Sequence, residues 1–315
     1  MQKMSRIQKY NIENNIPIFL SSDNNYAPFV ATTIASICDN TKSFCEFYIL
    51  DGGITQENQE KICKLKVQFN NFSIEFIKID VEKTFKNIDY KNICNYVTIS
   101  TYNRFLIPML KLNTDKAIYL DVDVIVVGDI LKFYEQDLNN HIIGAIPDLC
   151  RNEEYLNNIK ECLGLKSDSK YFNAGVLLIN CQKWRENNVT NKLFDIEVKY
   201  RKFLRMADQD VLNIFFEDNY EIYNQMYNEQ DVSDNFVIRH FSGNIKPWQA
   251  DFYIHSKTKK PCKIANIDLF WKYAKMTAFY SEILEIKNNF LKSNLLYKRF
   301  NDLVNKGARN RNANT

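Results

Sequence analysis

The stretch A-I-Y-L-D-V-D-V-I-V-V-G-D, residues 117–129, decides how the rest of the chain is read. Ile118, Tyr119 and Leu120 precede two aspartates, and Val124, Ile125, Val126 and Val127 follow them. β-Branched and aromatic residues in such a run predict one strand over 116–127, apolar enough to be covered on both faces. Asp121 and Asp123 stand inside it, separated by Val122. Side chains alternate along a strand, so both carboxylates are expected on the same face. Two ionised carboxylates that close repel each other, and burial strengthens the repulsion. A divalent cation removes it, and oxygen ligands with no thiolate nearby suit Mn²⁺ or Mg²⁺. The other reading of so short a pattern is a strand running out of its sheet into solvent.

Working outward, apolar runs at 16–20, 47–51 and 74–79 predict strands, and helical spacing over 28–37 and 56–69 predicts helices between them. Pro28 stands near the start of the first of these helices. This alternation implies a mostly parallel sheet with helices on both faces, which places ligands outside the carboxyl ends of its strands. Residues 142–146, 175–180 and 236–240 predict further strands, and 102–111 and 208–216 predict helices. Beyond Pro261 the spacing predicts helices over 269–280 and 283–300, followed by a basic end. The expected division is a catalytic unit at 16–260 and a helical basic segment at 261–315.

The bulk properties exclude several classes. The 315 residues are 45% hydrophobic and 25% charged, ordinary for a globular protein. A net charge of +3 without clustered basic and aromatic residues argues against nucleic-acid binding. The eight cysteines contain no Cys-x-x-Cys pair, so zinc-type spacing is absent. Residues 1–10 lack the apolar core of a signal peptide, and no run reaches the ~20 apolar residues of a membrane span. Scattered cysteines then favour a reducing, cytoplasmic location.

Other segments carry chemistry-bearing residues. S-S-D-N-N-Y-A at 21–27 follows the first strand without a G-x-G-x-x-G fingerprint. Asp23, Asn25 and Tyr26 can pair with a base edge, hold a ribose hydroxyl and stack on a ring; an Asx-rich turn is the alternative. S-T-Y-N-R-F at 100–105 opens a helix with Arg104, able to clamp a phosphate or a carboxylate. Y-F-N-A-G-V-L-L-I-N at 171–180 sets Asn173 before a buried strand, and M-A-D-Q-D-V-L-N at 206–213 sets Asp208, Gln209 and Asp210 at a helix start, where an N-cap is expected. I-R-H-F-S-G-N-I-K-P-W at 238–248 joins His240, a candidate metal ligand, to Gly243, which permits close backbone approach, and Lys246, which can meet a phosphate.

Taken in order, S-S-D-N-N-Y-A, T-Y-N-R-F, Y-L-D-V-D-V-I-V, Y-F-N-A-G-V-L-L-I-N, D-Q-D-V-L-N and H-F-S-G-N-I-K-P-W resemble glycosyltransferase family 8. The pattern is similar to its bacterial lipopolysaccharide galactosyl- and glucosyltransferases. The resemblance implies an α/β GT-A fold, a Rossmann-like nucleotide-sugar-binding mixed sheet flanked by helices, with a small C-terminal helical segment. It implies a UDP-galactose or UDP-glucose donor, Mn²⁺ or Mg²⁺, retention of anomeric configuration, and a saccharide or glycolipid acceptor. It implies Asp121, Asp123 and His240 as metal ligands, with Val122 between the aspartates also at the donor. Ser22, Asp23, Asn25 and Tyr26 fall at the uridine, and Gly243 and Lys246 at the diphosphate. Arg104, Asp148, Asn173, Asp208 and Gln209 fall at the donor sugar, with Asp148, Asp208 and Gln209 the catalytic candidates. Gln209, an amide, is a poor nucleophile, so same-face attack by the acceptor hydroxyl is favoured. The basic C-terminal segment suits a peripheral contact with the inner face of the membrane, or a solvated tail. A self-glucosylating glycogenin-like initiator and an inactive nucleotide-sugar binder are the rival readings.

Overall fold

A computed structural model of the chain describes residues 15–80, 99–149, 153–255 and 260–295, with residues 84, 258 and 297 besides. β1 (Ile16–Ser22), β2 (Cys45–Asp51) and β3 (Phe72–Lys78) alternate with helices Ala27–Asn40 and Gln56–Cys63. β4 (Lys116–Leu120), β5 (Val124–Val126), β6 (Ile143–Pro147), β7 (Phe172–Asn180), β8 (Glu221–Ile222) and β9 (Ile238–His240) follow. The main sheet, among the described residues, has the order β3-β2-β1-β4-β7-β6-β8. It is parallel except for β7, which runs antiparallel to both neighbours. Pro17 is tolerated inside central β1 because pairing with β4 begins only at Ile18.

Two apolar layers follow from strand alternation. Ile18, Leu20, Ile118, Leu120, Val176 and Leu178 face one core, shared with helix Ala27–Asn40. Phe19, Ala117, Tyr119, Leu177 and Ile179 face the other. That second layer also holds residues of helices Cys181–Glu186, Val189–Tyr200 and Asp208–Phe215. Helices Ile267–Ala274 and Tyr280–Ser293 close the first layer through Phe270, Tyr273, Phe279 and Ile283. In the segment 283–300, expected to be helical, Ile283 is in the core and Tyr297 stacks on Phe252. The basic end from residue 298 lies outside the described residues. No helix among the described residues is long and apolar enough to cross a membrane.

The single strand expected over 116–127 is two strands in two sheets. β4 pairs with β7 as far as Leu120 opposite Val176, and the Asp121 N–H still reaches the Gly175 carbonyl at 2.8 Å. There the main sheet ends, Val122 and Asp123 turn, and β5 leaves to pair antiparallel with β9, Val124 opposite His240. A turn at the corner of two sheets, and not the pleat of one strand, brings the carboxylates together.

Among the described residues β5 pairs with a strand on one edge only, yet it is buried. Three of its backbone groups on the other edge are met by a polar stripe on helix Ala27–Asn40. Thr33 Oγ1 reaches the carbonyls of Val122 and Val124 at 3.2 and 3.0 Å, Ser36 Oγ accepts the Val126 N–H at 3.0 Å, and Asn40 Nδ2 donates to the Val126 carbonyl at 3.1 Å. The helix thus stands in for a missing strand, satisfying groups whose burial would otherwise be costly. Thr33→Val keeps the shape and removes that donor. It should lower the unfolding free energy by about 1–3 kcal/mol in urea titrations, with Thr33→Ser close to wild type.

Candidate active site

The site forms where β1, β4 and β6 end and antiparallel β7 begins, with the end of β9 laid across them. Asp121, Asp123 and His240 present ligand atoms within 4.8 Å of one another. Asp123 Oδ1 lies 3.1 Å from His240 Nε2, and Asp123 Oδ2 lies 2.6 Å from Lys246 Nζ. Burial alone would raise the Asp123 carboxyl, but the Lys246 ammonium, joined by the His240 ring in its protonated form, overrides it and holds it well below the usual carboxylate range. Asp121 Oδ1 accepts from Tyr119 Oη at 2.7 Å and pairs with Arg104 at 2.9 Å.

The residues fit a divalent cation on chemical grounds. His240 Nδ1 lies 2.9 Å from the Asn228 side-chain oxygen, so in the neutral form of the ring Nδ1 carries the proton and the Nε2 lone pair faces a carboxylate oxygen that is itself an acceptor. Oxygen and imidazole donors converging in this way suit Mn²⁺ or Mg²⁺.

Arg104 is fully enclosed and touches two carboxylates at once. It pairs with Asp121 and with Asp208, each at 2.9 Å, its NH1 donates to the Ala174 carbonyl, and its guanidinium covers the Tyr119 ring at 4.3 Å. Asp208 also accepts from Thr101 Oγ1. Burial pushes the Asp208 carboxyl up to about 6, even against the pull of Arg104 and Thr101.

A second group lies deeper. Gln209 Nε2 donates to Asp148 Oδ2 at 3.0 Å, while Gln209 Oε1 accepts from Asn173 Nδ2 at 3.2 Å and from the Ala174 N–H at 3.0 Å. Asp148, Asn173, Asp208 and Gln209 are all buried. The N-cap expected from Asp208, Gln209 or Asp210 is not formed; Ala207 occupies that position with φ 48°. Asp210 instead closes the helix end from its third position, taking the N–H groups of Arg205 and Met206 at 2.6 and 2.7 Å. Asp208 lies inside the helix as its first residue and pairs with Arg104.

At the rim, Asp23 Oδ1 accepts the N–H groups of Asn25 and Tyr26, so it forms the Asx turn, and the Ser22 hydroxyl donates to the Asp23 carbonyl at 2.8 Å. Tyr26 is 40% exposed and meets Trp248 edge-on, while Trp248 stacks on Phe29 at 3.7 Å. Burial and the carboxylates of Asp123 and Asp23 raise the Tyr26 phenol. Asn25 is exposed. Gly243 is exposed too, and no protein atom requires a glycine there. The candidates that converge are Asp121, Asp123, His240 and Lys246, with Arg104 joining Asp121 to Asp208, and Asp148, Asn173 and Gln209 in the deeper group. Sequence reasoning missed Tyr119, Thr101, Gly175 and Asn228. Gly175 lay inside a quoted motif, but nothing in the sequence joined it to His240.

A mixed Rossmann-like sheet with a metal-capable D-x-D turn and a lysine beside it defines a nucleotide-sugar glycosyltransferase of the GT-A class. The sequence pattern of glycosyl transferase family 8 matches residues 17–251, and the chain belongs to that family as a hexosyltransferase. It is 33% identical over 247 residues to a glycosyltransferase of Haemophilus influenzae, covering 73% of this chain and 72% of that one. It is 26% identical over 247 residues to the lipopolysaccharide 1,2-glucosyltransferase of Escherichia coli, covering 72% and 71%. The galactosyltransferase LgtC, solved with donor and acceptor sugar analogues, superposes with TM-score 0.67 at 26% identity, over 84% of this chain and 96% of that one. The matched region is 56% of the length of GlyF of Streptococcus pneumoniae, a relative 30% identical over 250 residues and 73% of this chain.

Two expectations follow from the geometry. A Cβ on residue 175 would lie 2.4 Å from His240 Cε1 and 2.7 Å from Asp121 Oδ2. Gly175→Ala should therefore weaken Mn²⁺ binding at least about tenfold by calorimetry although no ligand is removed. For Asp208, the folded value of about 6 stands above the reference 3.8, so ionisation disfavours the native state. That penalty is absent below about pH 4 and complete above about pH 7. Between those limits wild type should lose roughly 3 kcal/mol relative to Asp208→Asn, read from denaturation midpoints across the range.

Proposed function

We propose that the protein moves galactose or glucose from a UDP-sugar to a saccharide acceptor of a surface glycan of the lipopolysaccharide type, with retention at the anomeric carbon. The observation that carries this reading is the Asp121, Asp123 and His240 cluster beside Lys246 at the carboxyl edge of the sheet. The E. coli and LgtC relatives support the hexose and the class of acceptor.

Asp121, Asp123 and His240 would hold Mn²⁺ or Mg²⁺, which supplies electrostatic stabilisation of a departing diphosphate. Lys246 adds positive charge to the same group from its place on Asp123. Ser22, Asp23, Asn25 and Tyr26 frame the uridine, with the exposed Tyr26 ring as the stacking surface. Val122 and Gly243 offer backbone to the donor. Arg104 acts through the carboxylates, fixing Asp121 for the metal and Asp208 for the sugar. Asn173, Asp148 and Gln209 hold the hexose.

Both acceptor lone pairs of Gln209 Oε1 are engaged by Asn173 and Ala174, which argues against its attack on the anomeric carbon. The acceptor hydroxyl attacks instead from the face that UDP leaves. The bond from the anomeric carbon to the phosphate oxygen breaks, the new glycosidic bond forms on the same side, and the hydroxyl proton passes to the departing phosphate. In this reading residues 16–260 are the catalytic unit and 261–315 an appended segment. The basic residues from Lys298 onward contact anionic lipid on the inner face of the membrane.

Incubation with Mn²⁺ and UDP-galactose or UDP-glucose should release UDP, faster with saccharide acceptors, and the product should keep the donor's anomeric configuration. Asp123→Asn should lower the rate by at least about a hundredfold. No UDP release from any donor, even by slow hydrolysis, would overturn the reading. Removal of residues 298–315 should reduce sedimentation with anionic vesicles and leave UDP release from a soluble acceptor intact.

A further inference from the structure

We infer that Asn228 positions His240 as a metal ligand, by fixing which ring nitrogen carries the proton. This rests on the metal site proposed above. Asn228 is fully buried. Its Oδ1 lies 2.9 Å from His240 Nδ1, and its Nδ2 donates to Asn173 Oδ1 at 3.0 Å. Asn173 Oδ1 also takes the Gly175 N–H at 3.0 Å.

The direction of every bond in this chain is set by a backbone amide. The Gly175 N–H can only donate, so the Asn173 atom facing it is the oxygen. The Asn228 atom facing that oxygen must then be the nitrogen, which turns the Asn228 oxygen to His240. An amide oxygen cannot donate, so in the neutral ring the proton lies on Nδ1 and the Nε2 lone pair points at Asp123, 3.1 Å away. Asn173 Nδ2 in turn donates to Gln209 Oε1, whose second bond comes from the Ala174 N–H. Two consecutive amides of β7 therefore orient both ends of the chain, the ligand His240 and the sugar-facing Gln209.

Without the Asn228 oxygen the balance reverses. The ring gains by moving its proton to Nε2 and donating to Asp123, and that hydrogen bond removes the lone pair a metal needs. Asn228 is thus a positioning residue, acting through His240.

The ¹⁵N-labelled metal-free protein tests this at about pH 8.5, roughly two units above the ordinary imidazole value. The chain has three histidines, and His240→Gln assigns the relevant signals in long-range ¹H–¹⁵N spectra. The expected result is a protonated Nδ1 and a bare Nε2 at His240. Asn228→Leu should move the proton to Nε2 and weaken Mn²⁺ binding, measured by calorimetry without donor, by about 10–100-fold. Asn228→Asp keeps an acceptor opposite Nδ1 and should restore the tautomer and most of the affinity. A wild-type Nε2–H tautomer overturns the inference, as does Asn228→Leu with unchanged tautomer and affinity. Should Asn228→Leu not fold, the wild-type tautomer and Asn228→Asp decide. If His240→Gln binds Mn²⁺ like wild type, the metal reading itself is lost. If it loses binding while Asn228→Leu does not, only the role of Asn228 is lost.

Discussion

Three carboxylates share one buried edge, and their mutual repulsion is the constraint the surrounding structure answers. Asp121, Asp123 and Asp208 meet two fixed cations, Arg104 and Lys246. Arg104 lies between Asp121 and Asp208, so one guanidinium bridges two chain segments far apart in sequence. That leaves Asp123 to Lys246 and His240. A divalent cation added to this set turns a net negative cluster into a net positive one, which is what a diphosphate requires. The elevated Asp208 value shows how close the balance runs: burial outweighs even a contact ion pair.

The sheet supplies the convergence. In a wholly parallel sheet all strand ends of one kind would line this edge. Here antiparallel β7 contributes its beginning, and with it come Asn173, Ala174 and Gly175, whose backbone and side chain face the ends of β4 and β6. The absence of a side chain at Gly175 leaves room for His240 and Asp121 together. The second, two-stranded sheet brings β9 across the corner. Helix Ala27–Asn40 then holds that corner by giving its polar stripe to β5. Packing, backbone satisfaction and ligand geometry thus depend on the same few residues.

Much of this was legible in the sequence, but unevenly. The strand and helix periods placed the early parallel strands well, because covered strands are nearly continuous apolar runs. The same rule misled over 116–127, where apolar residues on both sides of the aspartates hid a change of sheet. Asp121 and Asp123 were found for a reason that proved incomplete, since a turn gathers them and not the pleat. Arg104 was found, but its partners were not, because side-chain reach across β4 and the Asp208–Phe215 helix has no local signal. The N-cap expected at 208–210 failed because the helix begins one residue earlier, with Ala207 in that position and Asp208 paired to Arg104.

By itself the sequence determined the α/β layering, the family and most of the residues at the candidate site, because these depend on local period and on short motifs. Only the tertiary structure decided how those residues are used. It joined Thr33 to the D-x-D turn, Arg104 to two carboxylates, and Asn228 to His240 through contacts spanning from 12 to 104 positions. Such contacts are set by where strands end and which way they run. A one-dimensional pattern carries residue types and spacings, and the directions of hydrogen bonds between distant segments exist only once the chain has closed around them.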